Sequence, residues 1–219
     1  MDSLRYAVDL MRSGPESDNI SLDGSGLLNW LADKSNCFAA FRHPLGFVHA
    51  DLTDLVGEVP DGVRVRVHVW TEATSGDDAL GLVHDHMWQL TSMVMIGQLA
   101  DIAIRAVPDP QGSHDAIRVT YGKVNEFTHE GRVMLQEVYR RYVSAGQIYR
   151  IPSRSIHETL IVRAPVATLL VTQDDPPGCP GPIILAPHPA EPLGTAIREP
   201  VSPEEVSALY RAVAAIETV

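Results

Sequence analysis

The segment Val63–Trp70 alternates at every position. Val63, Val65, Val67 and Val69 fall on one face, and Arg64, Arg66, His68 and Trp70 on the other. A period of two marks a β-strand with one buried face. Glycine and proline number sixteen each in the whole chain and recur at short intervals through its middle, which favours many short strands over long helices. Further strands are predicted at 45–52, 90–107, 116–121, 133–143, 147–151 and 157–172. The last is expected to split at Ala164 and Pro165 into two strands around a turn. Strands in this number and at this spacing imply a closed or double-sheet β architecture.

Helical patterns are confined to the two ends. Behind a Ser3 cap, Leu4, Ala7, Val8 and Met11 recur at helical spacing, and 26–33 reads as a second short helix after a loop at 14–19. Near the other end, Ser202 stands at an N-cap, Pro203 follows at the first helical position, and Glu204 and Glu205 fill the first turn. Those are strong helix-start signals. The proline-rich stretch from 174 to 200 is expected to wrap irregularly over the surface. The layout is one domain overall: a helical extension at 1–44, a barrel at 45–175, then the wrap and C-terminal helix at 176–219. A chain of 219 residues is long enough to bury a core unaided.

Charge removes several functions. Against 28 acidic side chains stand 17 basic ones, a formal net charge of −11, and the longest basic run is Arg140 and Arg141. A nucleic-acid or anionic-membrane surface needs a basic patch, so neither partner is expected. Two cysteines, Cys37 and Cys179, are too few for a disulfide framework or an all-cysteine metal site. No signal-peptide core or membrane span is present. The expectation is an acidic, cytoplasmic globular protein whose acids form a solvated surface.

Nine histidines then stand out, because imidazole is the commonest metal ligand. Residues two apart on a strand project to one side, so His84 and His86 can present two imidazoles to one point. His157 opens a strand after a turn at Pro152, itself preceded by Gly146. Two same-face histidines and a distant third are the minimum for a metal site that keeps open positions. Trp88 and Leu90 share the parity of the pair and should line the same pocket, Leu90 giving it an apolar wall. Ser155 and Thr159 share the parity of His157 and can bond substrate or water. Arg64, His68 and Trp70, on the polar face of Val63–Trp70, are further pocket candidates. His43, His49, His114, His129 and His188 sit in loop-like or terminal contexts and read as solvated. The two cysteines read as small apolar residues or idle thiols.

These spaced residues resemble the two signature motifs of the cupin superfamily. His84, His86 and Gly97 match the first, with Leu90 where the motif has Glu. Gly146, Pro152 and His157 match the second, with Arg154 where the motif has Gly. The resemblance covers roughly 63–172 and implies a mainly β, double-stranded β-helix (a jelly-roll barrel), here with short N-terminal helices and a C-terminal helix. Three histidines without the carboxylate resemble the thiol dioxygenases, the group containing cysteine dioxygenase. That family carries a Cys near the position of Leu90, an Arg that grips the substrate carboxylate, and a Tyr near Val171 to Gln173. This chain has neither the Cys nor the Tyr, and Arg64 and Arg66 are the candidates for the Arg.

The expected function is therefore that of a mononuclear non-heme Fe(II) dioxygenase, with His84, His86 and His157 as metal ligands. Its partners would be dioxygen and a small anionic or chelating molecule: a thiol, an amino acid or a biosynthetic intermediate. Zn, Ni or Mn at the same residues would instead serve an isomerase, lyase or bond-forming enzyme. A non-catalytic ligand-binding barrel is the third reading. A homodimer is expected on the ground that barrel edges and the valine face need covering.

Overall fold

The computed structural model describes residues 2–13, 22–43, 45–72, 83–122, 125–190 and 198–216; the loop expected at 14–19 lies outside them. In chain order the elements are α1 (Asp2–Ser13), α2 (Gly24–Asp33), a 3-10 turn (Ser35–Cys37), β1 (Ala40–Arg42), β2 (Val48–Asp51), α3 (Thr53–Val56), β3 (Val63–Trp70), β4 (Val83–His84), β5 (Trp88–Pro108), β6 (His114–Thr120), β7 (Glu126–Ser144), β8 (Ile148–Ile151), β9 (His157–Asp174), β10 (Ile183–Pro187), β11 (Glu199–Val201) and α4 (Pro203–Ala214).

All pairings are antiparallel, and the long strands close a ring. From β9 the order runs through β4, β10, β6, β7 and β5 and back to β9. The second half of β9 also pairs with β3, beyond which lie β2, β1 and β11. The result is the mainly β, jelly-roll architecture expected, with helices at both ends of the chain. Closure leaves the ring strands without a free edge where they pair on both sides.

The valine face of β3 explains where the helices go. Val65, Val67 and Val69 are buried in one cluster with Leu4, Met11, Leu28, Leu31, Val206 and Tyr210, so α1, α2 and α4 all pack on this side. Burying each such side chain contributes about 1.5–3 kcal/mol. The chain's own helices thus cover the face that was expected to need a partner subunit. On the opposite side of β3, Trp70 packs with Trp88 against a separate inner cluster that includes Leu90, Val94, Tyr149 and Ile151.

Helix starts follow local chemistry. Ser202 and Glu205 form a full capping box on α4, as the sequence predicts. The start of α2 lies earlier than expected, because Asp23 caps it by accepting from the Gly26 N–H at 2.8 Å. Ser3 lies inside α1 and does not cap it.

Two strand expectations need correction. β9 runs unbroken through Ala164 and Pro165. Proline removes one ladder donor, but here it meets a register irregularity, where Ile96 pairs with Ala167 and Gln98 with Arg163, so no regular ladder bond is lost. Gly97 sits opposite with φ +79°, and a Cβ there would strike the Pro165 carbonyl oxygen; only glycine fits. The proline-rich stretch is also not wholly irregular, since β10 inserts between β4 and β6 and β11 pairs with β1. Among the described residues no helix is long and apolar enough to cross a membrane.

Candidate metal centre

The site forms at the seam where the ring closes. His84 on β4 and His157 on β9 are direct cross-strand partners, with ring centroids 5.0 Å apart. β4 ends at His84, so His86 lies just beyond the strand. Asp85 fixes its direction: the Asp85 N–H donates to the Ile183 carbonyl at 3.0 Å, and its Oδ1 accepts from the Ile183 N–H at 2.6 Å. With Asp85 turned to β10, His86 faces His157, Nε2 to Nε2 at 3.1 Å. The two-residue spacing therefore brings both imidazoles to one point although only the first belongs to a strand. One donor atom from each of His84, His86 and His157 lies within 4.8 Å of the others, and no other group of this kind occurs among the described residues.

Burial, and then the neighbouring His84 and His157, hold the His86 pKa well below its ordinary value. A neutral imidazole offers its lone pair to a cation, so this donor set suits a transition metal of borderline softness.

The Trp88 ring stacks on His86, centroids 5.0 Å apart and planes 18° apart, and Leu90 is buried in the inner cluster. Arg64 is exposed on β3. The guanidinium that reaches the site wall is that of Arg66, 5.3 Å above the Trp88 ring. Its Nη1 donates to Thr172 Oγ1 at 3.3 Å, and among the described residues no carboxylate pairs with it. Burial is the chief force lowering its pKa.

His68 and Trp70 join a second aromatic group. His68 Nε2 lies 3.0 Å from His49 Nδ1, Phe47 stacks between His43 and His68, and Trp70 lies against Phe47. His43 and His49 are thus not solvated. Burial pushes their pKa values down to about 3 and about 4, with Arg198 adding to His43 and Arg66 to His49. Nor are His129 and His188 merely solvated: both clamp the buried carboxylate of Asp115, each at 2.8 Å. These contacts come from cross-strand pairing and leave no local sequence signal. His114 bonds Ser113 Oγ at 2.9 Å. Ser155 is half-buried with its N–H on the Pro152 carbonyl, Cys37 is exposed, and Cys179 is partly buried with a free thiol.

Arg154 explains its departure from the glycine of the motif. Its φ is +63°, the left-handed conformation that glycine adopts freely. The Arg154 N–H donates to the His86 carbonyl at 2.9 Å, its Nε donates to Asp175 Oδ2 at 3.1 Å, and its Nη1 donates to the Gly181 carbonyl at 3.2 Å. A glycine position has been filled by a side chain that ties the histidine loop to the segment before β10.

One residue at the site was missed. Asp101 is 1% exposed, and its Oδ1 lies 3.4 Å from His157 Nδ1. Its register partners are Thr159 on β9 and Arg141 on β7, which places Thr159 on the same face. The available signal was a lone carboxylate inside an apolar strand run, a residue seldom buried without a partner.

No family model and no curated protein matches the chain. Among solved structures it is similar to oxalate decarboxylase from Bacillus subtilis, at 14% identity over 62% of this chain and 27% of that one, with a TM-score of 0.37. It is also similar to a Lactobacillus farciminis oxalate decarboxylase formate complex, at 13% identity over 62% and 30% of the two chains, TM-score 0.37. A third is an oxalate oxidase in complex with glycolate, at 19% identity over 65% and 56%, TM-score 0.35. The alignments therefore span 27% to 56% of the length of these proteins.

Proposed function

We propose that the chain is a mononuclear metal-dependent oxygenase that holds Fe(II) at His84, His86 and His157 and oxidises a small anionic molecule with dioxygen. The observation that carries this reading is the convergence of three imidazole donor atoms within 4.8 Å, with no carboxylate in the set. When bound, Fe(II) supplies Lewis acidity toward the substrate and electrons toward dioxygen. Three neutral donors leave the charge of a dication uncompensated, so an anionic or chelating substrate is drawn to it.

The protein's own part is binding, orientation and exclusion of water. Arg66, in no ion pair among the described residues and held above Trp88, adds a second positive charge beside the site. Of the two candidates for the substrate-gripping arginine, Arg64 and Arg66, it is the one beside the site. Trp88 and Leu90 form an apolar wall that keeps bulk water from the reacting groups. His68 and Trp70 line the same side of β3 and extend that wall, while Ser155 and Thr159 lie on the His157 side.

The experiment is metal analysis of the purified protein followed by oxygen-uptake assays against small thiols, amino acids and other carboxylates. Iron, with uptake that depends on one substrate class and is lost in His157→Ala, is the expected result. Turnover with zinc, nickel or manganese and no uptake would replace it with the non-redox reading. Ligand binding unchanged by loss of the histidines would replace both with a binding protein.

A further inference from the structure

We propose that Asp101 is the positioning residue of His157, holding its ring as the Nδ1–H tautomer with the Nε2 lone pair aimed at the metal centre. The ring's orientation is the first ground. Nε2 faces His86 Nε2 at 3.1 Å, which leaves Nδ1 facing Asp101 Oδ1 at 3.4 Å. A neutral imidazole carries one N–H, and a carboxylate oxygen only accepts. The proton therefore belongs on Nδ1.

The second ground is what these atoms lack. His157 Nδ1 and Asp101 Oδ1 are both buried, and among the described residues neither makes a hydrogen bond, the two standing 3.4 Å apart and facing each other. Leaving a buried donor or acceptor unmet costs about 1–3 kcal/mol, more for a charged group. Closing the 3.4 Å between them answers both at once, and bound metal drawing on Nε2 makes the Nδ1–H a stronger donor to the carboxylate.

Asp101 is fixed from behind. Its Oδ2 accepts from Arg141 Nε at 2.8 Å, Arg141 Nη2 donates to the Arg150 carbonyl at 2.6 Å, and the guanidinium stands 5.2 Å from the Tyr149 ring. A carboxylate so held does not reorganise when a metal arrives. Outer carboxylates of this kind fix the ring and raise ligand basicity. Here the outer position supplies the negative charge that Leu90 withholds from the inner one.

The affinity part of the test rests on the proposed metal reading; the tautomer part does not. Nitrogen-15 imidazole spectra of the metal-free wild-type protein at pH 8, with His157 assigned through His157→Gln, should show Nδ1–H. Co(II) affinity by chelator competition should fall about 10-fold in Asp101→Asn, which keeps an acceptor but loses the charge. In Asp101→Ala the loss should approach 100-fold, with the Nδ1–H preference gone. An Nε2–H tautomer in the wild-type protein overturns the proposal, as does Co(II) affinity within twofold of wild type in both folded variants. A wild-type protein that binds no Co(II) overturns the metal reading, and the tautomer then decides on Asp101 alone.

Discussion

Among the described residues, the pairing of His84 with His157 is the single cross-strand pair that joins β4 to β9. The same two side chains therefore complete the ring of strands and supply two of the three converging donors. Metal binding should then stabilise the whole fold and not a surface loop. At a metal concentration 100 times Kd the gain is about 2.7 kcal/mol, a rise in Tm of roughly 5–10 °C for a chain of this size. Thermal unfolding with metal and with chelator checks this, and His84→Ala should abolish the difference.

Gly97 tests the close approach of β5 to β9. Gly97→Ala forces a side chain into a left-handed backbone and against the Pro165 carbonyl. The expected loss exceeds about 2 kcal/mol, from roughly 1–2 kcal/mol of backbone strain plus overpacking. Denaturant unfolding should show a lower midpoint with an unchanged m value.

At Arg154 two substitutions separate backbone from side chain. Both Arg154→Gly and Arg154→Ala remove the links to Asp175 and Gly181, but only glycine relieves the positive φ. Arg154→Gly should be more stable than Arg154→Ala by about 1 kcal/mol. Equal stabilities would mean that the left-handed conformation carries no strain.

If the proposed function holds, Arg66→Gln should raise KM about tenfold or more for whichever carboxylate substrate supports turnover, with a smaller change in kcat, as for a group that holds substrate without touching the reacting atoms. Arg64→Gln, at an exposed position, should leave both values within twofold. The pair of variants tests which arginine serves the site.

Acid should destabilise the protein earlier than its carboxylates require. His43 and His49 have folded pKa values of about 3 and about 4, below the ordinary 6.5. A depressed histidine favours the unfolded chain once that chain protonates, so stability is complete above about pH 6.5 and falls as pH drops toward 4. The loss should reach roughly 1–2 kcal/mol per histidine by pH 5. In His43→Phe the fall by pH 5 should be smaller by roughly 1–2 kcal/mol, the remainder coming from His49 and from His68 and His86, which burial also depresses; unfolding at fixed temperature measures it.

The sequence made legible what depends on near neighbours. The alternation of Val63–Trp70 marked both a strand and its buried face, Ser202 with Glu205 marked a capping box, and the spacing of His84, His86 and His157 marked the donor set. What escaped depends on pairing between distant segments. Insertion of β10 between β4 and β6 follows from register, which the prolines around it conceal. His43 and His49 read as solvated because His68 and Trp70 arrive from β3, His68 against His49 and both rings against Phe47, which stacks on His43. Asp101 was hidden because its partners, His157 and Arg141, come from two other strands. Arg64 and Arg66 share one face, and only the position of Trp88 separates them.

The central claim is that three histidines hold one metal ion. The most direct measurement is a metal titration of the wild-type protein beside His84→Ala, His86→Ala and His157→Ala, with X-ray absorption of the loaded protein. The account predicts one equivalent of divalent metal with three nitrogen neighbours at about 2.0–2.1 Å, and a loss of affinity beyond about 100-fold in each variant. Absence of stoichiometric binding, or affinity indifferent to removal of any of the three histidines, would contradict it.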